Sequence, residues 1–245
     1  MDHILSFRDP RQRMKALATI PRNMSAAYED VMLRIERSKR GDKALAIKIL
    51  SWLFHTKAPL SMNELLEALV VEDGDQELQR EYMLQPADVI DCCKSLVVYE
   101  SSSGMVRFTH YTVQEYIEAI EHKLLGNIAM AKTCLTYLAF DEFDVPCTPD
   151  TYSEIYERRE KYKLLSHAVN YWANYVAGEP EASLDVQEMI LKVFASQSKR
   201  ESYYQILHYN SSYGKTETFF HILADYGLTT VCKLALKAMQ DIEKR

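Results

Sequence analysis

The sequence predicts a mainly α-helical protein with one small β-hairpin, and three observations lead there. Only seven glycines and seven prolines punctuate the 245 residues, so segments long enough for helices dominate. Apolar residues in most of those segments recur three and four apart instead of alternating. Two β-prone runs, Leu96 to Tyr99 and Met105 to Thr109, flank the polar stretch Glu100-Ser101-Ser102-Ser103-Gly104, as in a hairpin with a longer loop.

In chain order, Tyr28, Val31, Met32 and Ile35 fall at i, i+3, i+4 and i+7 and define a buried stripe on an early helix, which the basic run Arg37 to Lys43 is expected to end. Ala44 to Phe54 is almost wholly apolar, so its helix should be buried on most sides. Ser61 stands three residues before Glu64, the spacing of a capping box that opens a helix from Met62 to Val70. An acidic loop, Glu72 to Glu81, follows. Pro86 suits the first position of a third helix that turns Val89, Ile90, Cys93 and Leu96 inward and leaves Asp88 and Asp91 outside. Three helices and a hairpin make a winged helix.

After the hairpin, Thr112 and Glu115 repeat the capping-box spacing, and Val113, Tyr116, Ile117, Ile120 and Leu124 mark an outgoing helix. A helical bundle is then expected. One of its stripes is Ala131, Cys134, Leu135 and Leu138; another is Leu165, Ala168, Val169, Trp172 and Val176; a third is Val186, Met189, Ile190, Val193 and Phe194, with Pro146, Pro149 and Pro180 in the connections. The mixed run Glu154 to Lys163 reads as a solvated helix face. The crowded tyrosines of this half, Tyr152, Tyr156, Tyr162, Tyr171, Tyr175, Tyr203, Tyr204 and Tyr209, are expected to fill junctions between helices, the alternative being a contact surface. Finally, Thr218 to Gly227 follows the spacing of the ankyrin pattern, and Val231 to Leu236 supplies a second helix. Phe219 stands where that pattern has proline and Leu223 where it has alanine. A single such unit cannot bury its own apolar face, so the chain reads as a piece of a longer protein.

Composition narrows the function. A hydrophobic fraction of 47% supports a real core, in one large domain or two to three small ones. A formal charge of -6 opposes non-specific attraction to nucleic acid or anionic lipid. Five cysteines without a CxxC pair, and no signal-like or membrane-length apolar run, lead us to expect reduced thiols in a cytoplasmic protein. The seven histidines form no HExxH pattern, so no metal site is expected. The adjacent Cys92 and Cys93 should give one buried and one partly exposed thiol. Gly214-Lys215-Thr216 has the ending of a phosphate-binding loop, but Tyr209 stands where that loop needs glycine and no strand feeds it; a turn is expected.

Ile20 to Met24, Tyr28 to Ile35, Ile49 to Leu53, Pro59 to Ser61 and Phe108 to Tyr116 together resemble a fungal NACHT-ankyrin protein of the STAND, NLR-like class. The resemblance implies exit helices of a NACHT domain or a linker over 1–40 and a winged-helix domain of the GPI inositol-deacylase type over 41–122. It further implies a helical connector over 123–209 and an incomplete ankyrin repeat over 210–245. The deacylase reaction itself belongs to a separate hydrolase domain, whose G-x-S-x-G motif this sequence lacks. Phe108, His110, Glu115 and Tyr116 fit the motif F-x-H-x-S-x-x-E-[FY] of related proteins, with Thr112 in the serine position. By that resemblance His110 senses the phosphate of ADP or ATP held by an upstream NACHT domain, and this chain holds no cofactor itself.

The expected function is therefore non-catalytic: a regulatory and scaffold segment that couples nucleotide state to an ankyrin array. Its partners would be the NACHT domain within the same protein and a further protein met through Phe220, His221, Tyr226 and Leu228. The alternative is a winged-helix DNA-binding protein. That reading needs basic residues on the third helix, where Asp88 and Asp91 stand with only Lys94 opposing them. A third reading, a cysteine hydrolase, would need a pocket joining Cys92 or Cys134 to a histidine.

Overall fold

Helix α1 (Met24–Glu36) carries the first stripe, with Met32 and Ile35 buried and Tyr28 and Val31 against the same core. The computed structural model describes residue 11 and residues 24–148, 151–208 and 219–243, with 237–243 by their backbone alone. Ile20 to Asn23, His3, Pro149, Tyr209, Gly214 to Thr216 and Thr218 lie outside the described residues. Helix α2 (Arg40–His55) begins only a few residues after α1. Arg40 to Lys43 form its first turn and not a loop, because lysine and arginine are good helix formers and clustered charge alone breaks nothing. Ile49, Leu50 and Trp52 are fully buried on α2, which is the central element of the first unit.

A two-residue strand, β1 (Leu60–Ser61), follows α2. It pairs antiparallel with β3 (Met105–Phe108), Leu60 opposite Val106, and β3 pairs with β2 (Val97–Glu100), Val97 opposite Phe108, giving the order β1-β3-β2. Periodicity could not disclose so short a strand. Ser61 also caps α3 (Met62–Val70): Glu64 N–H donates to its Oγ at 3.3 Å and Ser61 N–H donates to Glu64 Oε2 at 2.7 Å, the expected capping box. Helix α4 (Pro86–Cys92) starts on its proline. It stops before Leu96, because Lys94 and Ser95 take φ of 50° and 75°, two left-handed residues that swing the chain into β2. Gly104, at φ 73°, supplies the same handedness at the wing tip without a Cβ to oppose it. Helices α2, α3 and α4 with the small sheet form the winged helix.

Helix α5 (Tyr111–Ala119) leaves the wing and buries Val113 and Ile117. It ends earlier than the apolar stripe predicts: a 3-10 turn at Glu121–Lys123 separates Leu124 from it, although Ile120 and Leu124 still pack on the core. Then come α6 (Asn127–Leu138), α7 (Tyr152–Lys161), α8 (Leu165–Val176), α9 (Leu184–Ala195) and α10 (Gln197–Leu207). The predicted stripes of α6 and α8 are buried, and those two helices pack along each other. On α7 Ile155 is the buried residue, as its mixed charges required.

The winged unit and the bundle share one continuous core. At their seam Glu67 of α3, 2% exposed, accepts from the Tyr137 hydroxyl at 2.5 Å and from Leu164 N–H at 2.9 Å. Burial, then the Glu67 charge, push the Tyr137 hydroxyl well above its usual pKa, so it stays a proton donor. Trp52 sets its edge against His167 and Tyr175, each ring centre 6.0 Å away. Deeper in the bundle, Lys199 is almost fully buried and donates to Ala139 O, Phe140 O and Asp144 Oδ2, each at 2.9 Å.

Helices α11 (Phe219–Asp225) and α12 (Thr229–Glu243) form the terminal pair, turned by Gly227 at φ 66°. Their apolar side is not left bare. Phe219 stacks toward Phe194 of α9, and Tyr226 meets the Trp172 ring at 5.6 Å while its hydroxyl bonds that of Tyr203 at 3.0 Å. Glu181 Oε1 accepts from Thr230 N–H at 2.6 Å and Val231 N–H at 3.2 Å, so a carboxylate from the bundle meets the free amides that open α12. Tyr162, Tyr175 and Tyr203 do sit in helix junctions, whereas Tyr152 and Tyr156 are exposed.

Candidate functional site

His110 stands where β3 ends and α5 begins, in extended conformation, and its ring is exposed. Two contacts of Thr109 hold the backbone there: its N–H donates to Leu96 O at 3.0 Å and its hydroxyl to Ser95 O at 2.8 Å. The turn that carries the two left-handed residues thus fixes the residue before the histidine. Phe108, buried in the sheet, anchors the other side.

The helix cap differs from the expected one. His110 itself is the N-cap: Thr112 N–H donates to its Nδ1 at 3.3 Å, and Thr112 Oγ1 lies 2.9 Å from the same nitrogen. Thr112 and Glu115 therefore make no capping box. The threonine sits two residues past the N-cap, and its hydroxyl is engaged by Nδ1 and, at 2.7 Å, by the Tyr28 hydroxyl of α1. A backbone N–H can only donate, so Nδ1 must accept and the neutral ring carries its proton on Nε2. The exposed edge of the imidazole is then a hydrogen-bond donor, which suits an anionic oxygen.

Helix α1 is coupled to this joint by more than one bond. Tyr28 and Tyr116 have ring centres 5.7 Å apart, and Lys123 Nζ lies 3.2 Å from Glu36 Oε1. Tyr28 was legible in the sequence only as a stripe residue; nothing there signals its bond to Thr112, 84 positions away. Glu67 was missed altogether, although an acid within the run Leu65-Leu66-Glu67-Ala68-Leu69 was an available signal for a buried, paired carboxylate.

The four residues expected to meet a protein partner divide. His221 is exposed and Phe220 half-buried, while Tyr226 is held by Trp172 and Tyr203. Leu228, 1% exposed, is a core residue and cannot offer a surface; an apolar residue following the turn glycine is drawn inward by the packing of α11 on α12. Cys92 and Cys93 are both buried, with their sulfurs 3.9 Å apart, which corrects the expected exposure of one thiol. Cys134 is buried too, and no cluster of three metal-ligating side chains occurs among the described residues. The outward side of α4 presents Asp88 and Asp91, both exposed. No helix among the described residues is long and apolar enough to cross a membrane.

Residues 32–139 match the family model of the winged helix domain of GPI inositol-deacylase. That stretch starts inside α1 and ends just after α6, so it exceeds the span 41–122 at both ends. Packing explains the excess, since Met32 and Ile35 of α1 and the buried side of α6 belong to the same core. The chain is also similar to azaphilone pigments biosynthesis cluster protein L of Monascus ruber, 26% identical over 192 residues that cover 73% of this chain and 40% of that protein. This chain therefore spans well under two thirds of the length of the curated relative it matches. No solved structure matches it.

Proposed function

We propose that this chain is a non-catalytic regulatory and scaffold segment of a NACHT-ankyrin signalling ATPase, which links the nucleotide state of an upstream domain to an ankyrin array. The observation that carries the reading is the His110 joint: an exposed imidazole whose Nδ1 is occupied from within, leaving Nε2–H to meet a phosphate oxygen. Direct contacts then run from the joint to α1 through Tyr28, and the shared core runs from the winged unit through the Glu67 seam to the bundle. The bundle covers the inner side of the terminal helix pair, the place an N-terminal capping unit takes in a repeat array. A displacement of the winged unit would thus carry the repeats with it.

The test is calorimetric titration of ADP into the protein extended upstream through its nucleotide-binding domain, with and without His110→Ala. Loss of one charge-assisted contact should weaken ADP by about tenfold or more. Equal affinities would remove the sensor role.

A further inference from the structure

Two thiols stand side by side where α4 ends. Cys92 closes the helix and Cys93 is its C-cap, with their sulfurs 3.9 Å apart. Cys92 keeps 7% of its surface in water and Cys93 none, so a small reagent entering there meets Cys92 first. The pair is chemically unequal as well. A hydrogen bond from the Cys93 thiol draws the Cys92 pKa below its ordinary value, against the burial that opposes it, and Lys94 adds to the effect. Cys93 is pushed the other way, by the same hydrogen bond and then by burial. Cys92 is therefore the partner that forms a thiolate, and Cys93 the one that keeps its proton.

The chain that follows the pair is strained and well connected. Lys94 and Ser95 hold φ of 50° and 75°, a region that residues with a Cβ enter only at a cost. Leu96 N–H donates back to Cys93 O at 3.0 Å. Ser95 O then accepts from the Thr109 hydroxyl at 2.8 Å and Leu96 O from the Thr109 N–H at 3.0 Å, the two bonds that fix the residue before His110. A displacement at Cys93 thus has a short, hydrogen-bonded path to the joint.

We propose that Cys92 and Cys93 are a peroxide-sensitive modification site, closing to a vicinal disulfide that loosens the His110 joint. The Cys92 thiolate attacks one oxygen of hydrogen peroxide and the O–O bond breaks, leaving a sulfenic acid on Cys92. The departing hydroxide takes up the proton that Cys92 had released and becomes water. The Cys93 sulfur then displaces the hydroxyl of the sulfenic acid, which leaves with the Cys93 proton as a second water. In sum, two thiols are oxidised to one disulfide and one peroxide is reduced to two waters. Closure brings the sulfurs from 3.9 Å to about 2 Å. Neighbouring Cα atoms are only about 3.8 Å apart, below the about 4.4–6.8 Å that relaxed disulfides span, so the bond is easily reduced again. The turn at Lys94 and Ser95 takes up the movement, and the bonds to Thr109 weaken. The inference does not rest on the sensor reading, because it concerns the backbone of the joint and not a nucleotide.

The experiment is hydrogen peroxide treatment of the 245-residue chain carrying Cys232→Ser, which removes the more exposed thiol. Peptide mapping should find a disulfide between Cys92 and Cys93 that a thiol reductant reverses. Cys93→Ala should stop the reaction at a sulfenic acid on Cys92, trapped by dimedone. Amide hydrogen exchange reads the consequence: in the disulfide form Thr109 N–H should exchange about tenfold faster, the size of one lost hydrogen bond, while Leu164 N–H in the seam exchanges as before. Mapping and exchange are both read without touching Cys93, so the test stands even if Cys93→Ala unfolds. The proposal is overturned if peroxide leaves both thiols free, or if Cys92 runs on to sulfinic acid without pairing. It is equally overturned if the disulfide forms and Thr109 exchange is unchanged, or if Thr109 and Leu164 speed up together, which would mean general unfolding.

Discussion

The seam at Glu67 and the joint at His110 are both small polar constellations at the edge of the winged unit, yet solvent treats them oppositely. Glu67 is sealed in, and each of its two donors would lose its only described partner with it. His110 faces water, so every group that bonds it has a ready substitute. The first arrangement fastens two units into one body; the second leaves a donor free for a ligand. Burial, not the number of hydrogen bonds, separates a structural contact from an available one.

The comparison can be broken most forcefully at its buried side. Trp52→Ala, which empties the space between α2, His167 and Tyr175, should lower the stability of the chain by about 3–5 kcal/mol in urea unfolding. Glu67→Leu should cost about 2–4 kcal/mol in the same measurement, because Tyr137 O–H and Leu164 N–H are left buried without acceptors. If Glu67→Leu proved neutral, the seam would not be the fastening described.

Acid sharpens the contrast. Burial depresses the His167 pKa from 6.5 to about 4, so the folded protein keeps that ring neutral while the unfolded chain protonates it. Its contribution is complete above pH 6.5 and is lost as pH falls toward 4. Urea midpoints should fall over that window by up to about 3 kcal/mol of stability, and the slope should flatten in His167→Gln. The smallest effect belongs to the joint. His110→Ala removes one N-cap and should cost about 1 kcal/mol, and Thr112→Val no more than that. A loss in His110→Ala as large as that of Glu67→Leu would mean the histidine is a structural residue after all.

Much of the architecture was legible before any coordinates. The apolar stripes of α1, α6, α8 and α9 lie inward as their spacing required, the hairpin pairs as its loop implied, and Ser61 with Glu64 forms the capping box. The errors have local causes. Thr112 with Glu115 matched a capping pattern, but the imidazole two positions before Thr112 takes the N-cap place and accepts from the Thr112 N–H instead. Leu228 looked available because its exposure depends on how α12 folds back on α11, which spacing does not encode.

By itself, the sequence determined where helices run, which side of each is apolar, and that His110 sits at a strand-to-helix joint, because these follow from residue order over one or two turns. Only the tertiary structure decided that Tyr28 reaches Thr112, that Glu67 meets Tyr137 and Leu164, and that the bundle covers the terminal helix pair. Those pairings join residues far apart in the chain, and their strength comes from the exclusion of water, which arises only when the units close on one another.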